Sequence, residues 1–178
     1  MSIVDFIKRS LGDSEKSSSE AETIRKIIQS LDQLDPQRAR FLAAFAYLLS
    51  RVARADLNIS DEETKVMEKI VMEHGALSEE QAMLTVQVAK TQNILFGSTE
   101  NYLVAREFND IADHNEKMGL LGCIYAVAAA DGSISTLEDN EISQIANELR
   151  IEHHDLIAVR SRYRNMLAVF QDSNSVQK

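Results

Sequence analysis

Four carboxylates are the residues of this chain whose type and spacing could do chemistry. Asp56 and Glu63 lie seven positions apart, and Asp131 and Glu138 repeat that spacing 75 positions later. Each pair lies in a similar segment, ADLNISDEE at 55–63 (the first corner) and ADGSISTLE at 130–138 (the second corner). Carboxylate oxygens are the ligands that Ca²⁺, Mg²⁺ and Mn²⁺ prefer. The candidate ligands are therefore a divalent cation or a basic protein surface.

The stretches around the corners are also repeated. An apolar helical run precedes each corner, at 41–55 and 120–130, and an amphipathic helix follows each. A repeat of this length is typical of one supersecondary unit used twice. We therefore expect two helix–corner–helix units, with the two apolar helices packed against each other in the centre of a bundle.

Each corner aspartate stands where a helix ends, a position that disfavours an acid by about 0.3–1 kcal/mol. Two arrangements would offset this cost: a side-chain bond to the backbone N–H two residues on, or a cation shared with the glutamate. Gly132 suits a left-handed residue after a helix. Leu57 has that place in the first corner beside Asn58, which tolerates this conformation better, so we expect the first turn to differ by one residue.

The corner glutamates have two interpretations as well. Ser60 with Glu63, and Ser135 with Glu138, have the spacing of a capping box that starts a helix. The alternative is contact with a metal ion or a partner. An EF-hand is excluded, because Val127 and Ala129, or Val52 and Arg54, would stand at its first ligand positions.

No other residues predict chemistry. The four histidines lack i, i+4 partners, and Cys123 is interpreted as a small core residue because no His or Asp is placed with it. No phosphate loop, nucleotide fingerprint, zinc spacing or nucleophile–base order is present. We expect the protein not to be an enzyme.

Composition narrows the class of protein. The 178 residues carry a net charge of −9 and no basic stripe, which argues against nucleic acid as a partner. One proline, six glycines and the absence of alternating β-branched stretches indicate an all-α protein. A single cysteine, no secretory signal and no long apolar run lead us to expect a cytoplasmic protein.

The chain divides into three parts. Residues 1–20 are expected to form an amphipathic helix at 2–11 and a flexible linker. Residues 21–171 form the helical domain, with repeat units at about 36–96 and 115–171, a helix break at 97–99 and a last helix from about His153 to Phe170. Residues 172–178 are expected to be disordered. Docking of the 2–11 helix on the bundle is favoured over peripheral membrane contact, and the oligomeric state stays open.

This pattern resembles the TerB-like tellurite-resistance family. The resemblance covers about residues 22–165 and is strongest in the second half, at IYAVAAADG (124–132), DLIA (155–158) and the preceding YLVAREFN (102–109). It implies an all-helical bundle in the cytoplasm, connected with resistance to tellurite or another stress. It also implies acidic corner residues suspected of binding metal. The positions that match them are Asp56, Glu63, Asp131 and Glu138.

Overall fold

The described part of the chain is a bundle of helices. The computed structural model describes residues 35–55, 57, 59–75 and 77–170, without the side chains of 75 and 91–100. Within these ranges the helices are α1 Pro36–Ala53, α2 Asp61–Gly75, α3 Glu79–Ile111, α4 His114–Ala128, α5 Thr136–Glu148 and α6 His153–Arg162, followed by a 3₁₀ turn at Arg164–Met166. The all-α prediction is confirmed. The predictions for 1–34 and for 172–178 lie outside the described residues.

Local side-chain bonds set the helix starts. The Asp35 carboxylate accepts hydrogen bonds from the backbone N–H groups of Gln37 and Arg38, and Pro36 follows it as the first helical residue. Ser78 and Gln81 form a capping box at the start of α3. These starts satisfy backbone donors that a helix leaves free, and their residue types are those typical of a helix start.

The core lies around the two apolar helices. α1 packs against α3 and α4, and α4 also packs against α2, α5 and α6. Nearly the whole of α1 after Arg40 is buried, and so are the apolar positions of α4 from Leu120 to Ala128. The prediction that the two apolar helices pack against each other is confirmed.

The predicted helix break at 97–99 is wrong. α3 runs without interruption from Glu79 to Ile111. A glycine inside a helix costs about 1 kcal/mol, and tertiary contacts of the following turns outweigh it. The Tyr47 hydroxyl donates to Asn101 Oδ1 at 3.0 Å, and the rings of Phe41 and Phe108 lie 5.2 Å apart. The first unit's last helix therefore continues past residue 96.

The last helix is shorter than predicted. α6 ends at Arg162, and the chain after the 3₁₀ turn becomes extended at Leu167. There it pairs with the second corner: Ile134 N–H donates to Met166 O at 2.7 Å, and Ala168 N–H donates to Ile134 O at 2.9 Å. The buried Leu167 side chain fixes this segment against the core. These contacts replace the helical bonds that the sequence periodicity predicted.

None of the described helices has the length and apolar character that crossing a membrane requires.

Candidate functional site

The two corners have the same backbone arrangement. Leu57 N–H donates to Arg54 O at 2.9 Å, and Gly132 N–H donates to Ala129 O at 3.0 Å. These bonds are related by the same 75-residue shift as the sequences. Both Leu57 and Gly132 are left-handed, with φ of 69° and 92°. The prediction that the first turn differs by one residue is therefore wrong: Leu57 adopts the conformation that glycine adopts in the second corner.

Leu57 is unusual in a second respect. Its side chain is 81% exposed. A non-glycine residue in the left-handed region costs roughly 1–2 kcal/mol. The shared hydrogen-bond pattern explains why the backbone nevertheless takes this shape, because shifting the turn would disturb the helix end and the cap that follows.

Both corner glutamates are members of capping boxes. Ser60 N–H donates to Glu63 Oε2 at 2.7 Å, and Ser135 N–H donates to Glu138 Oε2 at 2.8 Å. The serine hydroxyls accept the return bonds from the glutamate N–H groups, at 3.1 and 3.2 Å. The two glutamates are only 5% and 6% exposed. The capping interpretation is confirmed, and these carboxylates are directed toward the backbone.

Asp131 remains at the surface. Its Oδ1 accepts a hydrogen bond from Ser133 N–H at 3.0 Å, which is the Asx-type bond expected for an acid at a helix end. The side chain is exposed. Asp56, its counterpart, lies outside the described residues. Of the two arrangements considered for the corner aspartates, the local bond is present at Asp131.

The described carboxylates do not gather into a metal cage. Within the described ranges, no group of three or more His, Cys, Asp or Glu side chains is placed to hold a metal ion. Glu63, Asp131 and Glu138 thus do not form a three-carboxylate group. Metal binding by the four predicted residues stays a prediction.

The corner isoleucines fix both turns to the bundle. Ile134 is buried, and Ile59 is half-buried against the same core. This agrees with the shared backbone geometry of the two corners. A family model described as tellurite resistance protein TerB matches residues 41–161, which include both corners and the helices on either side of them. The chain belongs to the TerB family.

The family match agrees with the resemblance, which covers about residues 22–165 and is strongest around the second corner. Comparisons with curated proteins and with solved structures gave no match for this TerB family member.

An ion-pair cluster joins the two halves of this TerB family member. Arg51 of α1 donates from Nε to Glu141 Oε1 at 2.8 Å and from Nη1 to Glu148 Oε2 at 2.7 Å. Both acids belong to α5, and the Arg51 side chain is 1% exposed. This cluster was not predicted from the sequence. The signal was an arginine inside an otherwise apolar helix, because a buried charge requires a partner.

A second ion pair joins α5 to α6. Arg160 contacts both carboxylate oxygens of Asp139, with Nη2 to Oδ2 at 2.6 Å. The Tyr125 ring lies in the core and stacks on Tyr163 at 5.2 Å. Burial, together with the negative charge of Asp139, raises the pKa of Tyr125, so its hydroxyl stays protonated.

Cys123 has a neighbour that its sequence context did not indicate. Its Sγ lies 3.4 Å from His74 Nε2, across the contact between α2 and α4. The statement that no histidine is placed with Cys123 is therefore wrong. The two residues are 49 positions apart, so only helix packing brings them together.

Proposed function

We propose that this TerB family member is a non-enzymatic accessory protein in the response to tellurite or a related stress, and that it acts by presenting an acidic face to a basic protein partner. The family match supports the connection with tellurite resistance. The observation that carries the mode of action is that the corner glutamates cap helices. The acids that a partner could contact are therefore the exposed ones near them.

The exposed acids of the two corners are the contacts that we propose for the partner. Asp61 and Glu62 lie in the first corner, at the start of α2, and Asp131 lies in the second corner; all three are exposed. The net charge of −9 favours approach of a basic surface over long distances. Rim charges of this kind chiefly change association rate and specificity, which suits an adaptor that binds without chemistry.

A divalent cation at the corners is the second candidate function. The observation that favours it is the Asp131 carboxylate, exposed at a helix end with one oxygen on Ser133 N–H. Oxygen ligands would select Ca²⁺, Mg²⁺ or Mn²⁺. Because Glu138 is already engaged in its cap, such an ion would need water for most of its shell.

Two measurements distinguish the candidates. In the first, the tagged protein is purified from tellurite-treated cells with and without EDTA, and the proteins that co-purify are identified. The same is done with the corner variant, which carries Asp61→Lys, Glu62→Lys and Asp131→Lys. The control is Glu79→Lys, Glu80→Lys, which changes exposed acids at the start of α3. The adaptor function predicts that a basic protein co-purifies with the parent in the presence of EDTA. The same protein should be absent from the corner variant and present with the control variant.

The cation function predicts a different result in thermal unfolding. The free energy of unfolding of chelator-treated protein should rise by about 2.7 kcal/mol at a cation concentration 100-fold above the dissociation constant. The double variant Asp56→Ala, Asp131→Ala should show no such rise. A partner equally retained by the corner variant and the control would contradict the adaptor function. No unfolding shift with Ca²⁺, Mg²⁺ or Mn²⁺ would contradict the cation function.

A further inference from the structure

The end of α6 differs in charge from the rest of the molecule. Exposed residues recur along α6 in pairs four positions apart, at 153–154, 157–158 and 161–162, so they share one side of the helix. Arg162 ends α6 and Arg164 begins the 3₁₀ turn, and both are exposed. No acid occurs from residue 156 to residue 170. In a chain with a net charge of −9, this segment carries local positive charge.

Two large apolar side chains accompany these arginines along the chain. Ile157 is 44% exposed, and Met166 is 39% exposed. The Arg164 guanidinium stacks on the Phe170 ring at 4.9 Å, a contact that restricts its motion. Arginine and methionine are enriched at protein interfaces, where lysine and acids are depleted. Ile157, Arg162, Arg164 and Met166 (the α6 face) thus have the composition of a surface that binds protein.

The first corner has the complementary composition. Leu57 is 81% exposed, and its backbone is left-handed. Asp61 and Glu62 follow within five positions and are exposed as well. The left-handed leucine costs stability in the free protein, and its side chain would contribute by apolar burial only in a complex. The corner therefore presents an apolar side chain with two acids, where the α6 face presents apolar side chains with two arginines.

We propose that the first corner of one copy of this chain binds the α6 face of a second copy. Leu57 packs against Ile157 and Met166, and the corner acids pair with the two arginines. This inference rests on the acidic corner of the proposed function and names the protein's own α6 face as a basic surface that the corner fits. The contact either closes a symmetric dimer, in which each corner meets the other copy's α6 face, or continues into an open chain. Because both surfaces are small, association is weak and depends on concentration.

Sedimentation velocity of the purified full chain over a concentration series tests the proposal. The mean mass of the parent should rise with concentration, and added salt should oppose the rise because it screens the charges. The acid variant, Asp61→Lys with Glu62→Lys, and the arginine variant, Arg162→Glu with Arg164→Glu, should each associate at least tenfold more weakly, because like charges then face each other. An equimolar mixture of the two variants should associate again, because the unchanged α6 face of the first meets the unchanged corner of the second.

Leu57→Gly separates binding from folding. It should weaken self-association at least tenfold, because burial of a leucine side chain supports a change of that size in affinity. Thermal unfolding of the same variant should show no loss of stability, since glycine removes the strain of the left-handed backbone. The control is Glu79→Lys with Glu80→Lys, which makes the same change of charge on exposed acids at the start of α3 and should associate as the parent does.

Three results would overturn the inference. They are a parent that stays monomeric throughout the series, a charge variant that associates as the parent does, and a mixture that associates no better than its components. The proposed function is judged by a different measurement. A basic protein that co-purifies from cells while the pure parent stays monomeric would keep the adaptor function and overturn this inference. Self-association of the pure chain, with no other protein co-purifying from cells, would do the reverse.

Discussion

Arg51 and Glu148 form an ion pair between α1 and α5, with Arg51 Nη1 2.7 Å from Glu148 Oε2. Burial acts to lower the pKa of Arg51, but the hydrogen bond and the charge of Glu148, together with Glu141, raise it overall. The pair therefore stays charged although the arginine is buried. It ties the first apolar helix to a helix of the second half.

Arg51→Met should destabilise the protein by about 3–5 kcal/mol, because it leaves Glu148 partly buried without its cation. Urea unfolding measures the loss. Lys69→Met is the control, since Lys69 pairs with Glu73 on the surface at 4.0 Å and such pairs contribute about 0–1 kcal/mol. Similar losses in the two variants would contradict the structural role of Arg51.

Acid should weaken the same pair. Burial acts to raise the pKa of Glu148, but hydrogen bonds from Arg51 and Gln144 and the charge of Arg51 lower it below its usual 4.5. A lowered folded-state pKa adds stability above the unfolded value, and this stability is lost as the pH falls through the folded value. The free energy of unfolding, measured with urea between neutral pH and about pH 3, should therefore fall less steeply for Glu148→Gln than for the parent. Parallel declines would contradict this.

Substitutions at the two left-handed residues should change the stability of the protein in opposite directions. Leu57→Gly should stabilise the protein by about 0.5–1 kcal/mol, because relief of backbone strain exceeds the entropy that glycine adds to the unfolded chain. Gly132→Ala should destabilise it by about 1 kcal/mol. No atom lies within 4 Å of a Cβ built at Gly132, so this cost comes from φ alone. Thermal unfolding of both variants tests the pair, and a stabilising Gly132→Ala would show that the turn can relax.

The second capping box should contribute measurably. Ser135→Ala removes the acceptor of Glu138 N–H and should cost about 1 kcal/mol in urea unfolding. Ser143→Ala is the matched control within α5: the Ser143 hydroxyl bonds only the exposed helix carbonyl of Asp139, and alanine has the better helix propensity. Equal effects of the two substitutions would argue against a specific cap.

The two buried tyrosine hydroxyls should respond differently to removal. The Tyr125 hydroxyl is buried near the Asp139 carboxylate but makes no hydrogen bond of good geometry with a described residue, so Tyr125→Phe should leave stability unchanged or raise it by about 1 kcal/mol. Tyr47 donates to Asn101 at 3.0 Å, so Tyr47→Phe should lower stability by about 1 kcal/mol. Thermal unfolding compares the two variants, and a clear loss in Tyr125→Phe would reveal a bond to its hydroxyl.

Local features of the structure were predictable from the sequence. The caps at Asp35, Ser60, Ser78 and Ser135 depend on residue types a few positions apart, and the helical class depends on periodicity. The Asx-type bond of Asp131 was one of two local arrangements that the residues allowed. All of these depend on interactions within one or two helical turns.

Other features depended on contacts between distant segments. α3 continues through 97–99 because the turns that follow pack against α1. The chain is extended at Leu167 because its neighbours pair with the backbone of Ile134. Leu57 is left-handed although local preference favours Asn58.

By itself, the sequence determined the helical class, the repeated corners and the position of their caps, because short-range hydrogen bonds and apolar periodicity decide these. Only the tertiary structure decided which charged and sulfur-bearing side chains meet. Arg51 with Glu148 and Cys123 with His74 are contacts between helices far apart in the chain. Such contacts depend on how the helices pack against each other, and the spacing of residues along the sequence does not specify this packing.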